Sequence, residues 1–177
     1  MAMEIKPFND ARNFDVQRRL VQLYEGEPFA EVMHQALTGV AGMWIYTAWL
    51  DDTVDVFGAT PADRSSTPVR NLVGAGILKT SEAVMPIGPE VKPLAWAISD
   101  MITHPQYRRQ GIGRALLRRM EGDAYRNGGR ILYLYTGENN APAIHLYRNA
   151  RYQQLETQSQ QAVFVRLLGE ENGAHRR

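Results

Sequence analysis

Apolar and polar positions follow two rhythms along this chain. Stretches 4–8, 42–50, 69–79, 96–103 and 131–135 are short, rich in aromatic and β-branched residues, and bounded by proline, glycine or charge. That pattern predicts strands. The run 131–135, Ile-Leu-Tyr-Leu-Tyr, reads as a strand buried on both faces. Helical spacing appears three times. Val16, Leu20, Val21 and Tyr24 form one stripe, with Asn9 or Asp10 as its cap. Apolar positions 112, 116, 117, 120 and 124 form a second, closed by Asn127-Gly-Gly129. Residues 141–149 form a third, with Pro142 in the first turn. A shorter helix is predicted over 29–37, and a closing strand pair over 152–155 and 161–168. Gly74 and Gly76 inside a strand mark a bulge or a close backbone approach. The stretch 51–68 is long for a hairpin loop, which makes it mobile or functional. The expected order is β-α-α-β-β-β-α-β-α-β-β.

At 177 residues the chain is expected to be one domain, 1–168, with a polar tail over 169–177. It has no cysteine, which excludes a disulfide scaffold, a thiolate metal site and a cysteine nucleophile. His34, His104, His145 and His175 are scattered, so no metal is expected, and His104 before Pro105 reads as a turn residue. Net charge is only +1, against a dedicated nucleic-acid binder. Its distribution is uneven: residues 1–95 carry 8 Lys+Arg and 12 Asp+Glu, net −4, and 96–177 carry 12 and 7, net +5. A basic half suits an anionic ligand. Glu25, Glu27 and Glu31 cluster in the acidic half, where a solvated corner competes with a role in attracting a cationic substrate. No apolar run reaches spanning length and the first residues lack a signal-peptide core, so a cytoplasmic protein without membrane contact is expected.

The chemistry concentrates where the fourth strand meets the helix at 112. Between them lies Arg108-Arg-Gln-Gly-Ile-Gly113. A glycine turn feeding a helix start aims several N–H groups one way and adds the positive end of the helix dipole. With arginines beside it, this is an anion site, most naturally for phosphate or pyrophosphate. It is not a Walker loop, since Arg114 follows Gly113, nor a dinucleotide fingerprint, since position 116 is Leu116. Glycines that merely end a strand and start a helix remain the competing reading.

A second segment decides between them. Asn140, Ala143 and Tyr147 fall in an Asn-x-x-Ala-x-x-x-Tyr pattern, downstream of Arg108, Gly111 and Gly113 in Arg-x-x-Gly-x-Gly. Both motifs, in this order and spacing, resemble the GNAT superfamily of acyl-CoA-dependent N-acyltransferases. The resemblance is sharp over 95–155 and topological before it. It implies an α+β fold: a mixed, mostly antiparallel twisted sheet with helices on both faces, its fourth and fifth strands splayed to admit the cofactor. One departure stands out: the usual glycine after the last helix is Arg151, followed by Tyr152.

The resemblance implies roles. The backbone of Met101, Ile102 and Thr103 would pair with the pantetheine arm of acetyl-CoA. The amides of Arg109, Gln110, Gly111, Ile112, Gly113 and Arg114 would hold the pyrophosphate, with the side chains of Arg108, Arg109 and Arg114 as candidate ion-pair partners. Asn140 would bond the pantetheine amide, small Ala143 would leave room, and Tyr147 would reach the thioester sulfur as general acid. An amine must lose a proton before attacking, and Asp100 is the first candidate base, Glu138 a weaker one. The oxyanion donor in this family is a backbone amide of the fourth strand. The expected function is acetyl transfer to a primary amine acceptor, with a homodimer as one assembly the family allows. A non-catalytic acyl-CoA-binding module is the alternative. A basic-helix interaction protein is disfavoured, because no aromatic ladder accompanies the arginines.

Overall fold

The computed structural model describes residues 3–8, 13–24, 42–52, 69–80, 95–155 and 160–169. The strands are β1 Met3–Phe8, β2 Met43–Asp52, β3 Val69–Thr80, β4 Ala95–Thr103, β5 Ile131–Gly137, β6 Gln153–Gln154 and β7 Gln161–Leu167. The helices are α1 Phe14–Tyr24, α2 Ile112–Arg126 and α3 Ala141–Asn149, with a 3-10 turn at Pro105–Tyr107. Among the described residues, seven strands make one mixed sheet in the order β1-β2-β3-β4-β5-β7-β6, flanked by three helices. Among the described strands only β4 and β5 run parallel, and α2 is their crossover. The expected helix over 29–37, the Asn9/Asp10 cap, the glutamate cluster and most of the 51–68 stretch lie outside the described residues.

β4 and β5 pair only from Ala95↔Ile131 to Ile98↔Leu134. β4 then continues to Thr103, while β5 stays in register with β7 to Gly137↔Gln161. The two strands therefore part midway, as the resemblance implied.

The core follows the sequence pattern with two corrections. All five apolar stripe positions of α2 are buried: Ile112, Leu116, Leu117, Met120 and Ala124. In α1 the buried face is Leu20, Leu23 and Tyr24, with Val16 half-buried, whereas Val21 is 57% exposed. The spacing 16, 20, 23, 24 matches the helical repeat better than one that includes 21. The described cap of α1 is Asn13, whose Oδ1 accepts from Val16 N at 3.2 Å. In β5, Leu132 and Leu134 are buried but Tyr135 is 54% exposed, so the strand alternates and is not covered on both faces.

Two compact units share the chain: 1–77 with 100–116, and 78–99 with 117–177. In the first, α1 packs on β2 and β3 through Leu20, Leu23, Tyr24, Ile45, Trp49, Leu72, Ala75 and Ile77, with Ile102 of β4 against them. In the second, Phe164 of β7 is fully buried and packs on Tyr147 of α3, ring centroids 5.4 Å apart.

Candidate active site

The first unit carries the candidate phosphate turn. Arg109 and Gly111 both have left-handed backbone, with φ of 64° and 82°. A Cβ on Gly111 would meet nothing within 4 Å, so the glycine is there for its backbone angle, and that side of the turn is unfilled. Ala115 N donates to Gly111 O at 2.9 Å, the first bond into the helix. The amides of Ile112, Gly113 and Arg114 therefore precede every intrahelical acceptor, and they point out of the helix start with its positive dipole end. These are fitting donors for a pyrophosphate.

The turn is held from behind. Tyr107 is buried, and its hydroxyl donates to Asp52 Oδ2 at 2.6 Å. Asn71 Nδ2 donates to the Tyr107 hydroxyl oxygen at 3.5 Å. Burial, then the Asp52 carboxylate, pushes this phenol up to about 12. Arg108 Nε donates to Thr103 O at 3.2 Å, so part of that guanidinium braces the end of β4. His104 N donates to Val73 O at 2.9 Å, and its ring lies 5.8 Å from that of Tyr107. Burial, then Arg108, lowers the His104 pKa, which suits a turn residue.

β4 is not a regular strand. Asp100 has φ of 53°, an outlier for a non-glycine residue inside a strand. Its carbonyl accepts a hydrogen bond from the hydroxyl of Tyr24, at the end of α1. Asp100 itself is half-buried. Sequence reasoning missed Tyr24, Asp52, Asn71 and Tyr107. The one available signal was tyrosine where α1 and the turn call for plain apolar residues, since a buried phenol needs a partner.

The second unit carries Asn140, Ala143 and Tyr147. Asn140 is the N-cap of α3: its Oδ1 accepts from Ala143 N at 3.4 Å, while its amide nitrogen keeps its donors. Tyr147 is buried, with its ring 6.1 Å from Tyr152. Among the described residues no side chain bonds its hydroxyl, unlike Tyr152, whose hydroxyl donates to Glu121 Oε1 at 2.9 Å. Burial pushes Tyr147 up to about 12. Glu138 is exposed on the turn after β5.

The departure at Arg151 is resolved here. Arg151 takes the left-handed backbone expected of the missing glycine, φ 64°. Tyr152 N donates to Tyr147 O at 3.0 Å, and Arg166 Nη1 donates to Ala150 O at 2.7 Å and to Glu121 Oε1 at 3.0 Å. The cluster around Glu121 thus locks the turn that a glycine would otherwise enter without strain. Among the described residues, no group of three or more His, Asp or Glu could hold a metal ion, and no helix is long and apolar enough to cross a membrane.

Comparison with known proteins gives this architecture its relatives. The chain is 34% identical over 83 residues to the UPF0157 protein YqkA of Bacillus subtilis, across 47% of this chain. It spans only 24% of that protein's length. Among solved structures it superposes on Arabidopsis thaliana NAA60 in complex with acetyl-CoA, with a TM-score of 0.66 and 19% identity over 94% of this chain and 99% of the other. An aminoglycoside 6'-acetyltransferase type Ii gives 0.66 at 15% identity, covering 94% and 97%. The PaiA N-acetyltransferase of Thermoplasma acidophilum, with coenzyme A bound, gives 0.62 at 15%, covering 94% and 99%. At such identities these likenesses speak for the fold. Sequence evidence comes from the family model of the GNAT acetyltransferases, which matches residues 22–151 and takes in both motifs. The chain belongs to the acetyltransferase (GNAT) family.

Proposed function

We propose that the chain is an acetyl-CoA-dependent N-acetyltransferase acting on a primary amine by direct attack in a ternary complex. The family and fold are those of acyltransferases. The observation that carries the finer reading is the turn Arg109–Arg114, with two left-handed residues and unsatisfied first-turn amides beside an open glycine. Those amides hold the pyrophosphate, with Arg109 and Arg114 adding charge and Arg108 dividing its guanidinium between phosphate and Thr103 O. The backbone of Met101, Ile102 and Thr103 lies where β4 has left β5, which suits strand-like pairing with the pantetheine arm. Asn140 uses its amide N–H groups for the same arm, and Ala143 keeps the helix face low. Asp100 accepts the ammonium proton, directly or through water, with Glu138 as the weaker candidate.

Tyr147 donates to the departing sulfur. Burial pushes its phenol up to about 12, so it stays a donor, and the same partly dry site raises the proton affinity of the sulfur. Tyr147 is the general acid: it hydrogen-bonds the departing thiolate and then protonates it. The site needs no metal, and residues 1–168 act as one cytoplasmic catalytic domain. The acceptor is cationic, in keeping with the acidic half of the chain.

The test is a panel of small amines, peptides and proteins incubated with acetyl-CoA while free thiol release is measured. Release above hydrolysis with at least one amine is expected. Gly113→Glu should abolish coenzyme A binding, because a bulky anion would fill the pyrophosphate position. Tight coenzyme A binding with no thiol release on any amine would instead support a non-catalytic acyl-CoA-binding module.

A further inference from the structure

Tyr24 and Asp100 are 76 residues apart and meet at one peptide group. His104 N donates to Val73 O on β3. Alternation along an antiparallel ladder then turns the polar backbone groups of Ile102 towards β3, and those of Met101 and Thr103 to the other edge. Thr103 O is indeed taken on that edge, by Arg108 Nε. Asp100 breaks the alternation with its left-handed backbone, two residues after the pairing with β5 ends at Ile98. Such a conformation is strained for a non-glycine residue and persists only where its surroundings hold it.

Tyr24 supplies the hold. Its side chain is 1% exposed, wedged among Leu20, Leu23, Leu72 and Ile77, so its hydroxyl has one place to be. Burial, then the nearby Asp100 carboxylate, raises its pKa well above the usual value, so it stays a donor through the working pH range. The peptide it grips is planar and trans. Fixing the Asp100 carbonyl therefore fixes the Met101 N–H, which must point the opposite way, out from the core.

We propose that Tyr24 is a positioning residue for acyl transfer: by holding the Asp100 carbonyl it aims the Met101 amide at the oxygen of the acyl group. This rests on the acetyltransferase reading above, in which a β4 amide receives the developing oxyanion.

Backbone amide NMR with coenzyme A and with acetyl-CoA tests it. In the wild type, the amides of Gly111 to Arg114 should shift with both ligands, and the Met101 amide should shift further with acetyl-CoA alone, since only that ligand has a thioester carbonyl. Tyr24→Phe should keep the turn shifts and lose the acetyl-dependent Met101 shift. Its kcat should fall roughly 10–100-fold, with KM for acetyl-CoA within about 3-fold of wild type. Asp100→Asn, which tolerates left-handed backbone, should keep the Met101 response, and Asp100→Val should lose it. The Asp100 pair carries the test if Tyr24→Phe does not fold. A wild-type Met101 response in Tyr24→Phe, or in Asp100→Val, overturns the assignment alone. No shift of the turn amides with either ligand in the wild type overturns the acetyl-CoA reading, and the assignment with it.

Discussion

Gly74 on β3 lies directly beneath Ile112, the first residue of α2: a Cβ added to the glycine would sit 2.8 Å from Ile112 Cγ2. It would also lie 3.1 Å from Ile102 O and 3.3 Å from Leu116 Cδ1. The start of the helix that presents the turn amides thus rests on bare backbone. Gly74→Ala should destabilise the protein by about 1–3 kcal/mol through overpacking. It should also weaken coenzyme A binding, because α2 must lift. Chemical denaturation and calorimetric titration read the two effects; a variant unchanged in both would show that the helix start adjusts freely.

Gly111→Ala isolates the opposite cause. Space is open there, and only the backbone angle of 82° objects. The loss should be about 1 kcal/mol, the cost of a Cβ in left-handed backbone. A more conformation-tolerant residue, Asn, should recover part of it. Thermal unfolding of the two variants gives the comparison.

Removing the Tyr107 hydroxyl leaves the Asp52 carboxylate without its 2.6 Å donor and frees the turn from β2. Tyr107→Phe should therefore cost about 1–3 kcal/mol of stability. Coenzyme A affinity should fall several-fold, with kcat at saturation nearly unchanged. A loss of kcat at unchanged affinity would contradict a role confined to the turn.

Tyr147→Phe keeps the ring contacts with Tyr152 and Phe164 and deletes only the donor. Because burial holds that phenol at about 12, its worth is that of a charged hydrogen bond, about 1.5–3 kcal/mol, or roughly 10–100-fold in kcat. Coenzyme A affinity should be unchanged, and no alkaline loss of activity below about pH 10 should trace to this group. Turnover at the wild-type rate would make Tyr147 structural.

His104 has its pKa lowered by burial and by Arg108 from an ordinary value of 6.5. The unfolded chain therefore binds the proton first as pH falls. Stability from this group is full above about 6.5 and declines as pH drops from there through the lower folded value. His104→Gln should flatten the acid side of the stability curve. NMR titration of the ring giving a value at or above the ordinary one would reverse the sign.

The parts of the fold legible in sequence were those with long, redundant patterns. The α2 stripe has five positions in one period, and all five are buried. The turn was legible because Gly111 and Gly113 report a backbone requirement directly. In the short α1 helix, Val21 and Leu23 are both apolar, and three turns of pattern left the edge of the stripe open, although the repeat through Val16 and Leu20 takes in Leu23 and leaves Val21 outside. In β5 the tyrosines read as core because a phenol is mostly ring, yet Tyr135 stands in the open. The bond from Tyr24 to Asp100 was legible only at one end: a buried tyrosine signals that its phenol needs a partner, but nothing local points to Asp100, which meets it only after folding.

The interleaving of the two units governs how the chain is made. Each is assembled from two separate segments, because the backbone leaves the first after residue 77, returns at 100 and leaves again at 116. The crossings fall inside β3, β4 and α2 and not in linkers. No single cut releases a self-sufficient half, so truncation libraries and split-reporter fusions should find no tolerated break in these three elements. During synthesis the first 77 residues emerge long before the segment that completes their unit. They must wait on the ribosome, with the face of β3 at Gly74 not yet covered by Ile112 and Leu116, until residue 116 arrives.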